Sequence, residues 1–291
     1  MELRQLRYFI KAKELQNFTE AAAQLFISQS TLSQQIKQLE DELGTPLFNR
    51  IGKHIFTTEA GNLFYSYALQ CLNKANDGYQ LLKDLSNLQA GHLVIGTSYG
   101  LRHMLTQALV NFHQQYPQIS VEVLFGTSRE MIDRLTKFEL DIVMTFDEVE
   151  NRKELKYQPL FESNLGVIVT KDSPLARKNS ISLQEIKSLK LALPSKGFST
   201  RKFVDEIFEQ HQLNPQINLE INDIPTLLEL VSTGFWNTIL TDVSVSNQNH
   251  LVSLPISNIK SPQHAVLISL IDVYEKQAVK AFLKILLNKP E

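Results

Sequence analysis

The chain has 291 residues, 43% of them hydrophobic and 21% charged, with a formal net charge of −2. That length accommodates two or three compact units, and the composition excludes a disordered chain. No run of about 18 apolar residues is present, which excludes a membrane helix defined by hydropathy, and the single cysteine, Cys71, excludes an intramolecular disulfide or a thiolate metal cluster. The N-terminus opens on a charged helix without a signal-peptide core, so a cytoplasmic location is expected.

Residues 3–15 place Leu3, Leu6, Phe9, Ile10 and Leu15 at helical spacing. Asn17 then caps a short helix whose Ala21, Ala22 and Leu25 fall on one side, and Ser28 caps a longer one. In that second helix Leu32, Ile36, Leu39 and Leu43 form one apolar stripe, which Gly44 and Pro46 stop. Gln29, Ser30, Ser33, Gln34 and Lys37 share a different face. Short side chains that both donate and accept hydrogen bonds suit base edges in a major groove. The competing reading is an ordinary solvated face, since two helices joined by a tight corner also occur in proteins that touch no DNA. Leu47–Phe48–Asn49–Arg50 leads into a small hairpin over 51–58, where Arg50, Lys53 and His54 are within reach of phosphates as a wing. Charge gives no support: residues 1–60 carry seven Lys plus Arg (4, 7, 11, 13, 37, 50, 53) against seven Asp plus Glu (2, 14, 20, 40, 41, 42, 59).

From Thr58 to about Leu88 there is no proline, and Tyr65, Ala68, Leu72, Ala75, Tyr79 and Leu82 recur at alternating spacings of three and four. The spacing predicts a long helix that pairs with its twin along a heptad seam, the competing reading being a long helix that lies on its own domain, with Cys71 a small packing residue on it. Gln89–Ala90–Gly91–His92 ends it. Beyond, strands at 93–97, 119–125 and 140–146 alternate with helices at 103–115 and 128–138. A second group follows, with strands at 164–170, 189–193, 217–221 and 237–240 and helices at 198–211 and 224–233. A strand at 264–271 and a helix at 275–287 close the chain. Alternation of this kind predicts parallel sheets with both faces covered.

In such sheets ligands sit beyond the carboxyl ends of strands, at helix N-termini with free N–H groups. Three turns qualify: Thr97–Ser98–Tyr99–Gly100, Gly126–Thr127–Ser128, and Lys196–Gly197–Phe198–Ser199–Thr200. Their hydroxyls favour a small anion, although each is equally suited to capping its own helix. Gly96–Thr97–Ser98–Tyr99–Gly100 also fits the G-x-S-x-G nucleophile elbow, which makes a serine hydrolase the alternative function, with His103, His113, His211, His250 and His264 downstream. There is no His-Glu-x-x-His, no P-loop and no close metal-spaced cluster, so no metal, cofactor or catalytic residue is expected.

Phe18–Thr–Glu–Ala–Ala22, Leu25, Ser28–Gln–Ser30, Ser33–Gln–Gln–Ile–Lys–Gln–Leu–Glu40, Leu43–Gly44, Leu47–Phe48, Arg50 and Thr57–Thr–Glu–Ala–Gly61 together resemble the N-terminal domain of the LysR-type transcriptional regulators. The resemblance implies a multidomain α+β protein that is not an enzyme. It would comprise a winged helix-turn-helix DNA-binding domain at 1–58, a linker dimerisation helix at 59–90, and a two-lobed α/β effector-binding domain at 91–291, similar to periplasmic binding proteins. Lobe I would take 91–161 and 267–291, and lobe II 162–266. Looser support comes from Leu93–Val–Ile–Gly96, Glu139–Leu–Asp–Ile142, Asp172–Ser–Pro–Leu–Ala176 and Val231–Ser–Thr–Gly234. By the same resemblance Gln29, Ser30, Ser33 and Gln34 face bases, and Lys37, Arg50 and Lys53 lie on the sugar-phosphate backbone. The effector would contact Ser98, Tyr99, Thr127, Ser128, Phe198, Ser199 and Thr200. The implied partners are double-stranded DNA bearing an inverted-repeat promoter site, a small-molecule effector, further copies as a homodimer or homotetramer, and RNA polymerase, with no membrane.

Overall fold

The computed structural model describes residues 1–51, 54–86, 91–146, 152–259 and 262–287. The chain forms two compact units, Met1–Ser86 and Asn87–Glu291.

In the first unit α1 (Leu3–Leu15), α2 (Phe18–Gln24) and α3 (Gln29–Leu43) precede a hairpin of β1 (Phe48–Ile51) and β2 (His54–Thr57), and α4 (Glu59–Ser86) follows. Asn17 Oδ1 accepts from Thr19 and Glu20 N–H at 3.0 and 3.2 Å, and Ser28 Oγ accepts from Thr31 N–H at 3.0 Å. These side chains satisfy N–H groups that a helix start leaves open, so both helices begin where expected. Gly44 closes α3 in the left-handed conformation at φ 66°. Leu32, Ile36 and Leu39 are fully buried. Leu43 is 37% exposed and does not complete the stripe, because the last turn of α3 runs past the small core. Phe9 centres that core, with ring centroids 5.6 Å from Phe48 and 5.4 Å from Phe64. Burial of one such ring contributes about 2–3 kcal/mol.

Two joints tie the hairpin to the helices. Glu40 Oε1 accepts from Leu47 and Phe48 N–H at 2.7 and 2.9 Å, which locks α3 to the hairpin entry. Thr58 donates from its amide to Leu47 O and from its hydroxyl to Pro46 O, and its Oγ1 accepts from Gly61 N–H at the start of α4.

Helix α4 is about 42 Å long at 1.5 Å per residue. Its first half packs on its own unit through Phe64, Tyr65, Ala68, Leu69 and Leu72. Its second half leaves Ala75, Tyr79 and Leu82 exposed, so the heptad seam divides into an inward stretch and an outward one. Cys71 is exposed and packs no core of the single chain, contrary to the expectation for it.

The second unit runs β3 (Gly91–Thr97), α5 (Arg102–Gln115), β4 (Ile119–Phe125), α6 (Ser128–Thr136), β5 (Ile142–Phe146), β6 (Leu155–Thr170), α7 (Leu183–Lys187), β7 (Leu191–Pro194), α8 (Ser199–Gln210), β8 (Ile217–Ile221), α9 (Ile224–Ser232), β9 (Thr238–Thr241), β10 (Leu251–Pro255), β11 (Pro262–Leu270) and α10 (Gln277–Leu287). β3 pairs in parallel with β4 and β5, and β7 with β8. The sheets are nevertheless mixed, because β6, β9, β10 and β11 pair antiparallel. β6 explains why: residues 155–164 pair with β11, whereas 165–170 pair with β9 and β10, so one 16-residue strand belongs to both lobes and β11 returns against it.

Alternation along each strand feeds two apolar layers. Ile142 and Met144 face one side with Leu93 and Phe112, while Val143 faces the other with Met131 and Leu135. In the second lobe Val167 and Val169 join Leu193 and Phe208, and Ile168 joins Leu227 and Leu240. The first half of β6 departs from the predicted start at 164. Its Lys156, Gln158 and Glu162 are polar, and Pro159 sits opposite Val266 where the register shifts, the kind of irregularity that tolerates a proline inside a sheet. β10 and α7 also add to the predicted elements.

Candidate nucleic-acid interface and ligand cleft

The stripe buried beneath α3 decides what its other face presents. Gln29, Ser30, Gln34 and Lys37 are exposed and Ser33 is half-buried on the first three turns. Ser28 Oγ lies 2.9 Å from Ser30 Oγ and 2.7 Å from Thr31 Oγ1, which fixes these hydroxyls at the helix start. The acids of α3 fall only at Glu40, Asp41 and Glu42, about 15 Å along the axis from Ser30. Glu40 is occupied by the hairpin and Glu42 by the N-terminal amine. The balanced charge of this unit therefore leaves the polar face of α3 free of acids. Arg50 pairs with Ile55 in the hairpin backbone, while its side chain and that of His54, and Lys53 altogether, lie outside the described residues.

The three turns of the second unit border clefts between its lobes. One, of about 490 Å³, lies between α6 and α8 and is lined by Arg129, Ile132, Phe146, Tyr157, Lys196, Phe198, Arg201, Lys202 and Asp205. Another, of about 530 Å³, is lined by Tyr99, Arg102, Phe125, Phe198, Asn222 and Asp223. Phe198 borders both. The sequence-derived residues take unequal positions around them. Tyr99 is half-buried, with its hydroxyl accepting from Arg102 at 3.1 Å. Thr127 caps α6 by accepting from Glu130 N–H. Ser128 is buried and its hydroxyl lies 2.5 Å from Thr145 Oγ1. Phe198 occupies the N-cap position of α8 and supplies no side-chain cap, so the first amides of that helix have none. Ser199 is buried behind it and Thr200 is half-buried.

Residues outside the sequence-derived contact set carry most of the charge of the cleft between α6 and α8. Arg129 has no hydrogen-bond or ion partner among the described residues, and Lys196 and Lys202 are exposed beside it. Arg201 is only 3% exposed; it donates to Asp205 at 2.8 Å, to the Pro194 carbonyl at 2.9 Å and to Glu220 at 3.1 Å. The i, i+4 spacing of Arg201 and Asp205 on α8 was visible in the sequence, but Glu220 reaches the guanidinium from β8. Burial pulls Arg201 down, yet its bonds to Glu220 and Asp205 outweigh burial and hold it above its ordinary value.

The hydrogen bond from Arg201 holds the Glu220 carboxyl below its ordinary value of 4.5. A carboxyl depressed in the folded state stabilises fully above its unfolded value, and that contribution is lost as pH falls through the folded one. Acid titration of stability is therefore expected to show a decline beginning below about pH 4.5, shallower in Glu220→Ala. An identical acid limb in variant and parent would rule out this coupling.

The nucleophile-elbow reading fails on geometry. Ser98 Oγ is buried with no hydrogen-bond partner among the described residues, whereas His103 bonds Asn247 and His250 bonds Ser232 at 2.6 Å. A serine without a base is not an activated nucleophile. The two glycines have packing reasons instead. A Cβ at Gly96 would meet Leu140 Cδ1 at 2.6 Å, and one at Gly100 would meet Phe146 Cε2 at 2.8 Å and Thr241 Oγ1 at 3.2 Å.

Together, the first unit and the clefted second unit define a winged helix-turn-helix regulator with a two-lobed α/β ligand-binding domain. Residues 3–62 match "Bacterial regulatory helix-turn-helix protein, lysR family", and residues 86–290 match "LysR substrate binding domain". The chain therefore belongs to the lysR family, as a LysR-type transcriptional regulator with an effector-binding domain. It is 31% identical to the uncharacterized HTH-type transcriptional regulator YybE of Bacillus subtilis (strain 168) over 258 residues, 88% of each chain. Its fold is similar to a full-length OxyR variant from Pseudomonas aeruginosa, at TM-score 0.74 and 23% identity over 98% of this chain and 94% of that one. It is also similar to full-length CbnR complexed with its target DNA, at TM-score 0.65 and 20% identity over 98% and 99%. Among the described residues no helix is long and apolar enough to cross a membrane.

Proposed function

We propose that the protein acts in the cytoplasm as a homodimer or homotetramer on an inverted-repeat promoter site, with residues 1–58 binding DNA, 59–90 pairing copies and 91–291 sensing a small anion. In this reading Gln29, Ser30, Ser33 and Gln34 meet base edges while Lys37, Arg50 and Lys53 hold the sugar-phosphate backbone. The observation that carries it is α3 itself, whose apolar stripe is buried while a short-armed polar face without acids stays in solvent. Pairing is supported by Leu63, Tyr67, Tyr79 and Leu82 of α4, which are 56–66% exposed, apolar groups in search of a cover. Two copies so joined set two recognition helices about one DNA turn apart, and RNA polymerase reads the outcome.

The effector lies between the lobes against Ser98, Tyr99, Thr127, Phe198 and Thr200, with Ser128 and Ser199 supporting these contacts from behind. An anion suits the uncapped N-terminus of α8 and the cations Arg129, Lys196 and Lys202. Its binding favours one lobe arrangement and so one spacing of the DNA heads.

The decisive experiment selects bound fragments from genomic DNA and then measures competition at fixed salt. Ser33→Ala and Gln34→Ala are expected to relax base preference by roughly 1–3 kcal/mol, whereas Arg50→Ala weakens all sequences alike. Uniform loss in all three would overturn the role assignment. For the ligand, a carboxylate and phosphate panel should raise the unfolding midpoint, since binding to the folded state alone adds about 2.7 kcal/mol at one hundred times Kd. Arg129→Ala with Lys202→Ala should lose that response. Retention of the full anion response by the double variant would exclude the cationic cleft as the site.

A further inference from the structure

Phe26 is 95% exposed, the most exposed large apolar side chain among the described residues, and its backbone is left-handed at φ 56°. Both facts are unfavourable for a phenylalanine. An aromatic L-residue is disfavoured in the left-handed region, which glycine or asparagine enters readily. The turn demands that conformation: Phe26 N–H donates to Ala23 O and Ile27 N–H to Ala22 O, which ends α2 and points the chain into α3. Leu25 and Ile27 on either side pack on the core, so the corner is fixed while the ring between them points away from it. Phe138 shows the contrast. It adopts the same conformation at φ 60°, but its ring is half-buried and packing offsets the strain. Within its own unit Phe26 has no such compensation.

The place of the ring identifies what it meets. It precedes Ser28, the cap of α3, by two residues, and so stands in the turn that leads into the exposed Gln29 and Ser30, at the helix end that enters a major groove in helix-turn-helix docking. The groove edge carries one methyl group, the 5-methyl of thymine, which takes apolar contacts from side chains such as phenylalanine. We infer that Phe26 is a specificity-determining residue that packs on a thymine methyl at the edge of each half-site. This rests on the DNA-reading role proposed for α3.

The test uses the site selected by the full-length protein and replaces each thymine by uracil in turn, which removes only the methyl group. The parent protein is expected to lose roughly fourfold in affinity at one position per half-site, the factor that burial of a single methyl carries. Phe26→Gly should bind the thymine site weaker by about the same factor and no longer distinguish it from uracil, while its thermal midpoint does not fall, because glycine suits the turn. A Phe26→Gly protein with the affinity and uracil profile of the parent overturns the inference and leaves the role of α3 intact. So does a uniform loss at every position, which would assign the ring to the sugar-phosphate backbone or to a protein partner. A parent protein that selects no fragment fails earlier, taking the role of α3 with it.

Discussion

A protein carrying Asp205→Ala together with Glu220→Ala is expected to lose about 3 kcal/mol of stability in its second unit, more than the two single changes sum to. The asymmetry lies in burial. Arg201 is 3% exposed, whereas the side chains of Asp205 and Glu220 are 42% and 44% exposed. Either carboxylate alone still compensates the guanidinium, and water screens each exposed partner, so a single loss costs about 1 kcal/mol or less. Removal of both leaves a buried charge with, among the described residues, only the Pro194 carbonyl as a hydrogen-bond partner, the situation in which breaking an ion pair becomes costly. Adding Arg201→Met should then recover part of the loss, since an apolar side chain of similar reach needs no counter-charge. Trp236 is the single tryptophan and packs in the second lobe, so its fluorescence follows this unit alone. Additive single effects, or no recovery on Arg201→Met, would show that the guanidinium is compensated from elsewhere.

Gly61→Ala is expected to cost about 3 kcal/mol in the first unit and to abolish DNA selection without moving the Trp236 transition. A Cβ at this position would stand 2.3 Å from the Leu47 carbonyl oxygen and 2.6 Å from Thr57 Cγ2. The first neighbour is backbone, held by Glu40 through the Leu47 and Phe48 amides and by the Thr58 amide on the same carbonyl. Neither side gives way cheaply, and overpacking against a fixed neighbour carries a penalty of this size. The displaced start of α4 would drag Phe64 from Phe9 and loosen the core under α3. Helical circular dichroism in denaturant separates this from the second unit. A variant that unfolds with the parent and keeps its operator would mean that α4 shifts freely.

The elements of the first unit were legible because local rules agree with the tertiary result. Asn17 and Ser28 cap, Gly44 stops, and the spacing of Leu32, Ile36 and Leu39 picks the buried side, all within one or two turns of chain. The same holds for β4, at 119–125, and β8, at 217–221, whose apolar runs match their observed bounds. Long-range features stayed out of reach. That β6 starts at Leu155 depends on β11, far along the chain, which pairs with it on both sides of a bulge at Leu160, beside Pro159. That Leu43 and Cys71 are exposed depends on where a small core ends.

By itself the sequence determined which faces are apolar and where helices begin and stop, since these follow from side-chain spacing and from hydrogen bonds between near neighbours. That was enough for the regulator class and for the polar face of α3. Only the tertiary structure decided that Ser98 has no base among the described residues, that Ser128 is bonded to Thr145, that Arg201 is held by carboxylates from a helix and a strand, and that the ring of Phe26 is left uncovered at its corner. Each of these depends on the distance between groups far apart in sequence, or on where packing stops, and the linear order of residues records neither.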